Sequence, residues 1–172
     1  MRTRTPLVAT AVLTLAFGAA VAPAETSRRA DKKITAAGVG KVKVGKTFKS
    51  LRAAGLVGKL RPGCPLGGPD TRSARLKAPL KGSVDLTTSR PRRVRSITIT
   101  GGATARGVGI GGTIAQIKAA FPKAKVDHST EDVFGITLVK VPKNGGGRIR
   151  FAVGVDTKKI TLIGVPVIPF CE

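Results

Sequence analysis

Two glycine-rich segments have the spacing of nucleotide-binding loops. Residues 40–47, GKVKVGKT, match G-x-x-x-x-G-K-[ST], in which backbone amides and the lysine hold phosphates. The alternating Lys-Val spacer is typical of a strand, and Asp85, the nearest candidate Mg²⁺ ligand, follows a poor strand. Residues 107–112 match G-x-G-x-x-G, with Asp132 downstream at the place of a ribose-binding acid. The sequence after this match predicts a β-hairpin, so we expect neither segment to bind a nucleotide.

Few residues remain for catalysis, because the chain has one histidine and no Trp or Tyr. Cys64 and His128 are the one conceivable nucleophile–base pair. Glu131 and Asp132 are adjacent carboxylates that could serve glycoside hydrolysis or Ca²⁺ binding. A paired cysteine and a solvated acidic turn explain these residues more simply. The sequence therefore predicts that the protein is not an enzyme and has no metal site and no cofactor.

Positive charge is the dominant property of the chain, with 31 Lys and Arg against 9 Asp and Glu, a net charge of +22. Such a field attracts anionic polymers, lipid headgroups or nucleic acid. Nucleic acid is disfavoured because single-strand binders add stacking aromatic residues to their basic grooves. Charge that serves solubility alone stays open as an alternative. The candidate anion- or partner-binding residues are those of the densest runs: Lys41, Lys43, Lys46, Arg90, Arg92, Arg93 and Arg95.

The first 24 residues have the organisation of a cleaved secretory signal peptide. Arg2 and Arg4 form a basic start, residues 6–20 are mostly apolar, and residues 22–24 have the small-x-small pattern of a cleavage site. A membrane-spanning helix needs about 20 apolar residues, so an anchor fits less well. We predict a secreted product, in the extracellular space or the cell envelope, with no transmembrane segment after cleavage. Residues 25–35 are predicted to be a flexible leader.

Cys64 and Cys171 are the two cysteines of the chain. An even number of cysteines in an oxidising compartment favours pairing, which predicts a Cys64–Cys171 disulfide. In the chain-entropy account, a closed loop of about a hundred residues stabilises by roughly 4.7 kcal/mol.

The chain also repeats itself. Residues 42–54 align with residues 108–120, and the same offset aligns 94–100 with 160–166. In each copy a threonine, Thr47 or Thr113, is placed to cap a helix, and the second copy has the spacing of a capping box.

Three β-rich runs follow each of these helices. We therefore predict an α+β domain of two tandem repeats, each a helix plus a three-stranded antiparallel meander, over residues 36–103 and 104–172.

The openings of the repeats, residues 44–51 (VGKTFKSL) and 110–117 (IGGTIAQI), suggest a family. They resemble the apolar-G-M-T-x-x-x-V opening in the tandem repeats of secreted β-lactamase inhibitory proteins and in the small lipoprotein of the outer-membrane β-barrel assembly machine. The chain is also similar to exported proteins of high-GC bacteria that share the Gly-Val-Gly of residues 38–40 and a terminal cysteine. The resemblance spans about residues 36–170 and implies units that bind other proteins through a sheet face. Lys46 and Gly112 replace the methionine, and the aromatic residues of the inhibitor's binding surface are absent, so β-lactamase inhibition is not implied.

Together these observations predict an exported, non-catalytic binding protein. The first hypothesis is a protein-interaction module of the cell envelope or extracellular space. The alternative is a cationic binder of anionic envelope polymers or lipid surfaces. The partner is either an unknown protein or an anionic polymer, and the two hypotheses differ in whether binding depends on the arginines around Pro91.

Overall fold

The computed structural model describes residues 32–142 and 148–170. The predicted signal peptide, residues 1–24, and the leader segment 25–31 lie outside the described residues. Lys32–Thr35, the last four residues of the predicted leader, form a strand.

The described chain forms strands and short helices, which follow one another in the order β1 (Lys32–Thr35), β2 (Gly38–Val39), β3 (Val42–Lys43), α1 (Phe48–Ala53), β4 (Val57–Pro62), β5 (Arg72–Leu76), β6 (Lys81–Leu86), β7 (Val94–Gly101), β8 (Ala103–Thr104), α2 (Ile114–Ala120), β9 (Lys125–Asp127), α3 (Glu131–Phe134), β10 (Ile136–Val141), β11 (Ile149–Gly154) and β12 (Ile160–Val165). None of the helices in these two described stretches is long and apolar enough to cross a membrane.

Eight strands form one antiparallel sheet in the order β4-β5-β6-β7-β12-β11-β10-β9. The centre of this sheet joins the first half of the chain to the second, because β7 pairs with β12. A smaller sheet has the order β3-β2-β1-β8, in which β1 and β8 run parallel. The main core cluster contains residues of both halves, so the described part of the chain does not have one core per half.

The predicted α+β fold of two helix-plus-three-strand repeats is wrong, because the protein is mostly β with sheets of four and eight strands. The first half contributes four strands to the large sheet, whereas three were predicted. The additional strand is Val57–Pro62, an edge strand whose sequence lacks apolar alternation. In the second half, Lys125–Asp127 adds a three-residue strand. The small sheet consists of segments of two to four residues, too short to show a strand period in the sequence.

The predicted helix starts are confirmed. The hydroxyl of Thr47 accepts a hydrogen bond from the Ser50 N–H at 3.2 Å. Thr113 accepts from the Gln116 N–H, and the Gln116 side chain accepts from the Thr113 N–H at 3.0 Å, which completes the capping box. These bonds satisfy amide groups that have no partner inside the helix, so short helices can begin at both threonines.

One face of the large sheet carries the main core. Alternate residues of its central strands, including Ile97, Phe151 and Ile163, are fully buried there. Leu51 of α1 and Ile117 of α2 pack into the same cluster, together with apolar residues of the small sheet. This face therefore positions both helices and the loops next to them.

The opposite face of the large sheet is covered in part by the chain's own C-terminal segment. Ile168 is buried against Leu138 and Ala152, which project from β10 and β11 away from the main core. Gly164 lets this segment lie close, because a Cβ atom there would be 2.4 Å from Ile168 Cγ1. The ring of Phe170 stacks on Phe134, with centroids 4.7 Å apart.

Cys64 lies beside the same segment, with its Sγ atom 4.0 Å from the carbonyl oxygen of Phe170. Cys171 follows Phe170 in the sequence but lies outside the described residues, so the pairing stays a prediction. We expect alkylation under denaturing conditions to add no mass to the purified protein unless a reductant is present. Alkylation of both cysteines without reductant would contradict the disulfide.

Gly82 provides a test of the pairing between β6 and β7. Its φ is +134°, and a Cβ atom there would lie 2.0 Å from the Thr98 carbonyl oxygen of the neighbouring strand. Gly82→Ala should lower the free energy of unfolding by more than about 3 kcal/mol, because backbone strain of about 1–3 kcal/mol adds to this clash. Gly45→Ala is the matched control, since its φ is +84° and, apart from its chain neighbours, no described residue has an atom within 4 Å of the added Cβ. Denaturant unfolding measures both changes, and equal losses would contradict the clash.

Candidate anion-binding site

Two segments that are far apart in the sequence, 45–48 and 92–94, lie side by side. Three backbone hydrogen bonds of 2.8 Å join them: Gly45 N–H to Val94 O, Val94 N–H to Lys46 O, and Phe48 N–H to Arg92 O. The pairing brings Lys46, from the first cationic run, next to Arg92 and Arg93, from the second. The Arg93 Nη1 also donates to the Gly45 carbonyl oxygen at 3.0 Å, which fixes its guanidinium at this junction.

A cavity of about 540 Å³ opens beside this junction. Its apolar wall includes Leu60, which is 37% exposed, and its cationic residues are Lys49, Arg90 and Arg92. We call it the basic groove, and its lining residues are Thr47, Phe48, Lys49, Leu60, Arg90, Pro91 and Arg92.

The cations of the basic groove have no carboxylate partner among the described residues. In the part of the chain that the structure describes, the only ion pairs within 4.0 Å join His128 to Glu131 and Lys140 to Asp127. Arg92 is half-buried, and its Nε is buried without a hydrogen-bond partner in that part of the chain. Positive charge that is neither neutralised nor fully solvated attracts an anion more strongly than a fully exposed cation does.

The structure brings together only some of the predicted cationic residues. Lys41 lies exposed in the turn between β2 and β3, and Lys43 lies half-buried in β3, so neither lines the basic groove. Arg95 lines a different cavity, together with Asp85. The structure therefore does not bring all the cationic residues predicted from the sequence together at one site.

Lys49 and Leu60 line the basic groove and were not among the residues predicted from the sequence. One signal for Lys49 was available, because a cation in the first turn of a helix opposes the helix dipole. Helix α1 has no acidic residue in its first turn and carries Lys49 there instead. No sequence pattern marks Leu60, which is brought to the groove only by the pairing of β4 with β5.

The backbone amides of the first glycine-rich segment form hydrogen bonds within the protein itself. The amides of residues 44–46 all donate to backbone carbonyls: Val44 N–H to Ala37 O, Gly45 N–H to Val94 O, and Lys46 N–H to Lys43 O. A phosphate-binding loop needs such amides for its ligand. In the second segment the Gly111 N–H donates to Ile160 O at 2.9 Å and the Gly112 N–H to Gly109 O at 3.1 Å.

Of the residues considered for catalysis, the structure brings His128 together with Glu131. His128 Nδ1 is 2.6 Å from Glu131 Oε1, whereas Cys64 lies beside Phe170. A hydrogen bond from the Thr137 hydroxyl, followed by the contact with His128, lowers the pKa of Glu131. The Lys140 ammonium donates a hydrogen bond to Asp127 and lowers the pKa of that carboxyl strongly. No group of three or more His, Cys, Asp or Glu residues in stretches 32–142 and 148–170 could hold a metal ion.

Comparisons of the chain with protein-family models, with curated proteins and with solved structures found no match. The resemblance to the repeats of β-lactamase inhibitory proteins therefore stays a prediction from the short motifs that carry it.

Asp85 is a half-buried carboxyl in a cavity of about 260 Å³, between the loop that carries Cys64 and the C-terminal segment. The hydroxyl of Ser96, which is itself buried, donates a hydrogen bond to Asp85 Oδ2 at 2.8 Å. Burial raises the pKa of Asp85, and it outweighs the opposing effects of Ser96 and the Arg95 charge.

A raised pKa in the folded state predicts how stability depends on pH. The contribution of Asp85 is fully present below the ordinary value of 3.8 and is lost as the pH rises through the raised pKa. Asp85→Asn keeps an acceptor for Ser96, so this variant should unfold at a higher temperature than the wild type at pH 7. The difference should vanish in acid.

Thermal unfolding across pH measures this, with Asp156→Asn, on an exposed turn, as the control for loss of one negative charge. An Asp85→Asn variant that is less stable than the wild type at pH 7 would contradict the dominance of burial.

Proposed function

We propose that the protein is an exported, non-catalytic binder of anionic polymers of the cell envelope, and that the basic groove is its contact site. The observation that carries the proposal is that Lys49, Arg90 and Arg92 line one cavity without a carboxylate partner in the described chain. Lys46 and Arg93 extend the same positive surface across the backbone junction. A polymer that carries one negative charge per repeat would contact several of these cations at once.

The C-terminal segment covers apolar residues on the outer face of the large sheet. This supports binding of an anionic polymer over binding of a protein through an apolar sheet face. On the face opposite the main core, Leu138 and Ala152 are buried against Ile168, and Ile136 and Leu162 are partly buried in the same cluster. The remaining residues of that face on β5 and β6 are polar or charged, with Ser73 paired to Asp85 and Arg75 paired to Ser83. An apolar partner surface would have to displace the C-terminal segment to reach the sheet.

A salt series on immobilised polymers tests the proposal. We expect retention on polyglutamate and polyphosphate, little retention on neutral dextran, and release as the salt concentration rises from about 50 mM to about 1 M, where the Debye length is roughly 3 Å. Vesicles with and without anionic lipid, measured in parallel, distinguish a polymer from a lipid surface as the anion source. Equal retention on neutral and anionic polymers would contradict the proposal.

The protein-interaction module remains the second candidate, and one observation favours it. Leu66 and Val133 are 73% and 68% exposed, and each lies close in sequence to a residue that contacts Phe170. A contiguous patch of exposed apolar side chains is a feature of protein-binding surfaces. Retention of a single protein from an envelope extract at about 1 M salt, reduced by Leu66→Ser with Val133→Ser, would favour this candidate over the polymer binder.

A further inference from the structure

Another cavity, of about 580 Å³, lies where β1, the end of α2 and the adjoining ends of β10 and β11 meet. Its apolar floor consists of buried side chains: Ile34, Phe121, Val141 and Ile149. We propose that this cavity binds an anionic amphiphile, a molecule with an apolar body and one carboxylate, phosphate or sulfonate head group. We call it the amphiphile cavity.

The charges at the rim of the amphiphile cavity indicate that the ligand has a negatively charged head group. Lys33, Arg106 and Lys123 line it and are exposed. No carboxylate of the described residues lines the cavity, and none of these three cations belongs to an ion pair in that part of the chain. A negatively charged group at the rim would be attracted to all three cations, whereas a cationic or neutral head group would not.

Arg106 is held in an unusual backbone conformation at this rim. It has a φ of +48° and, with Gly107 at +82°, forms a two-residue hairpin turn closed by hydrogen bonds between Ala105 and Val108 in both directions. Glycine and asparagine are the residues that such turns prefer, so an arginine here has a conformational cost.

The side chain of Arg106 is fixed as well as its backbone. Its Nη1 donates to the Ala120 carbonyl oxygen at 3.1 Å, and its Cζ lies 5.1 Å from the centroid of the Phe121 ring. The guanidinium therefore lies over the aromatic ring that forms part of the floor. A ligand whose apolar body rests on that floor would have its head group next to the guanidinium.

The volume and the lining of the amphiphile cavity together indicate which class of ligand fits it. Cavities of about 300–1,000 Å³ hold drug-sized molecules, and their linings are mostly apolar with a few placed polar groups. A small inorganic anion would contact only the cations at the rim, and a neutral lipid would leave the three cations unused. The amphiphile cavity shares no lining residue with the basic groove, so the two sites can be tested separately.

The probe is 1-anilinonaphthalene-8-sulfonate, an aromatic sulfonate that fluoresces when its rings leave water, added to protein expressed from the full-length sequence. We expect one saturable site from which decanoate displaces the probe, whereas decanol and acetate, which are the tail and the head group alone, displace it poorly. Displacement by decanol as effective as that by decanoate would overturn the proposal.

Two variants locate the site. Arg106→Gly removes the guanidinium while relieving the backbone strain, so it should fold at least as well as the wild type and bind the probe at least about tenfold more weakly. Lys158→Gly is the matched control, because Lys158 also has a positive φ, +54°, and does not line the cavity. It should bind like the wild type.

Ala36→Leu, which places a larger side chain in the cavity lining, should weaken binding without changing the charge. Equal affinities of the Arg106→Gly and Lys158→Gly variants would overturn the proposal. Wild-type affinity in the Ala36→Leu variant would overturn it as well.

Discussion

Replacing Lys49, Arg90 and Arg92 together by glutamine is expected to weaken binding to an anionic polymer by about 100-fold at low salt. Each cation near an anionic surface contributes about 1 kcal/mol, and about 3 kcal/mol corresponds to a factor of somewhat more than 100. The three residues line one cavity and have no carboxylate partner in the described chain, so their loss removes attraction without leaving an acid unpaired. Titration of polyglutamate by fluorescence anisotropy, with the polymer labelled, measures the change.

The matched control replaces three exposed lysines outside the basic groove, Lys125, Lys158 and Lys159. This variant has the same net charge as the groove variant. It should lose only a few-fold in affinity, because its contribution is long-range and screened by salt. Equal losses in the two variants would mean that net charge governs binding and that the basic groove is not a site.

Phe151→Ala is expected to lower the free energy of unfolding by about 3–5 kcal/mol. Phe151 is fully buried on β11, an interior strand of the large sheet that pairs with β10 and β12. Its ring also contacts Phe121, with centroids 6.0 Å apart. Removing the ring leaves a cavity between the large sheet and Phe121, the residue that caps the end of α2.

Denaturant unfolding measures this effect, and Val133→Ala is the control, because Val133 is 68% exposed and its truncation should change stability by no more than about 0.5 kcal/mol. A loss of less than about 1 kcal/mol in Phe151→Ala would contradict the assignment of this residue to the core.

Local sequence signals predict the parts of the fold that depend on a few adjacent residues. The threonine caps at Thr47 and Thr113 need only a hydroxyl and a free amide three residues on. The apolar run 94–100 indicates a strand, and it lies in β7. The α+β prediction fails because the helices are short and because two-residue strands such as Gly38–Val39 have no period to detect.

The candidate site depends on pairing between distant segments. Lys46 and Arg92 lie in different cationic runs, and only the backbone hydrogen bonds between 45–48 and 92–94 bring those runs together. Leu60 reaches the basic groove through the register of β4 on β5. Charge patterning could therefore predict cationic residues as binding candidates, but not that Arg95 would lie instead beside Asp85.

The central claim is that an anionic polymer binds at the basic groove, and hydrogen–deuterium exchange with and without polyglutamate tests it most directly. Amides at the groove, such as those of Lys49, Leu60 and Arg92, should exchange more slowly when the polymer is present, and the protection should disappear at about 1 M salt. Protection confined to other surfaces, or protection at the groove that persists at about 1 M salt, would contradict the account.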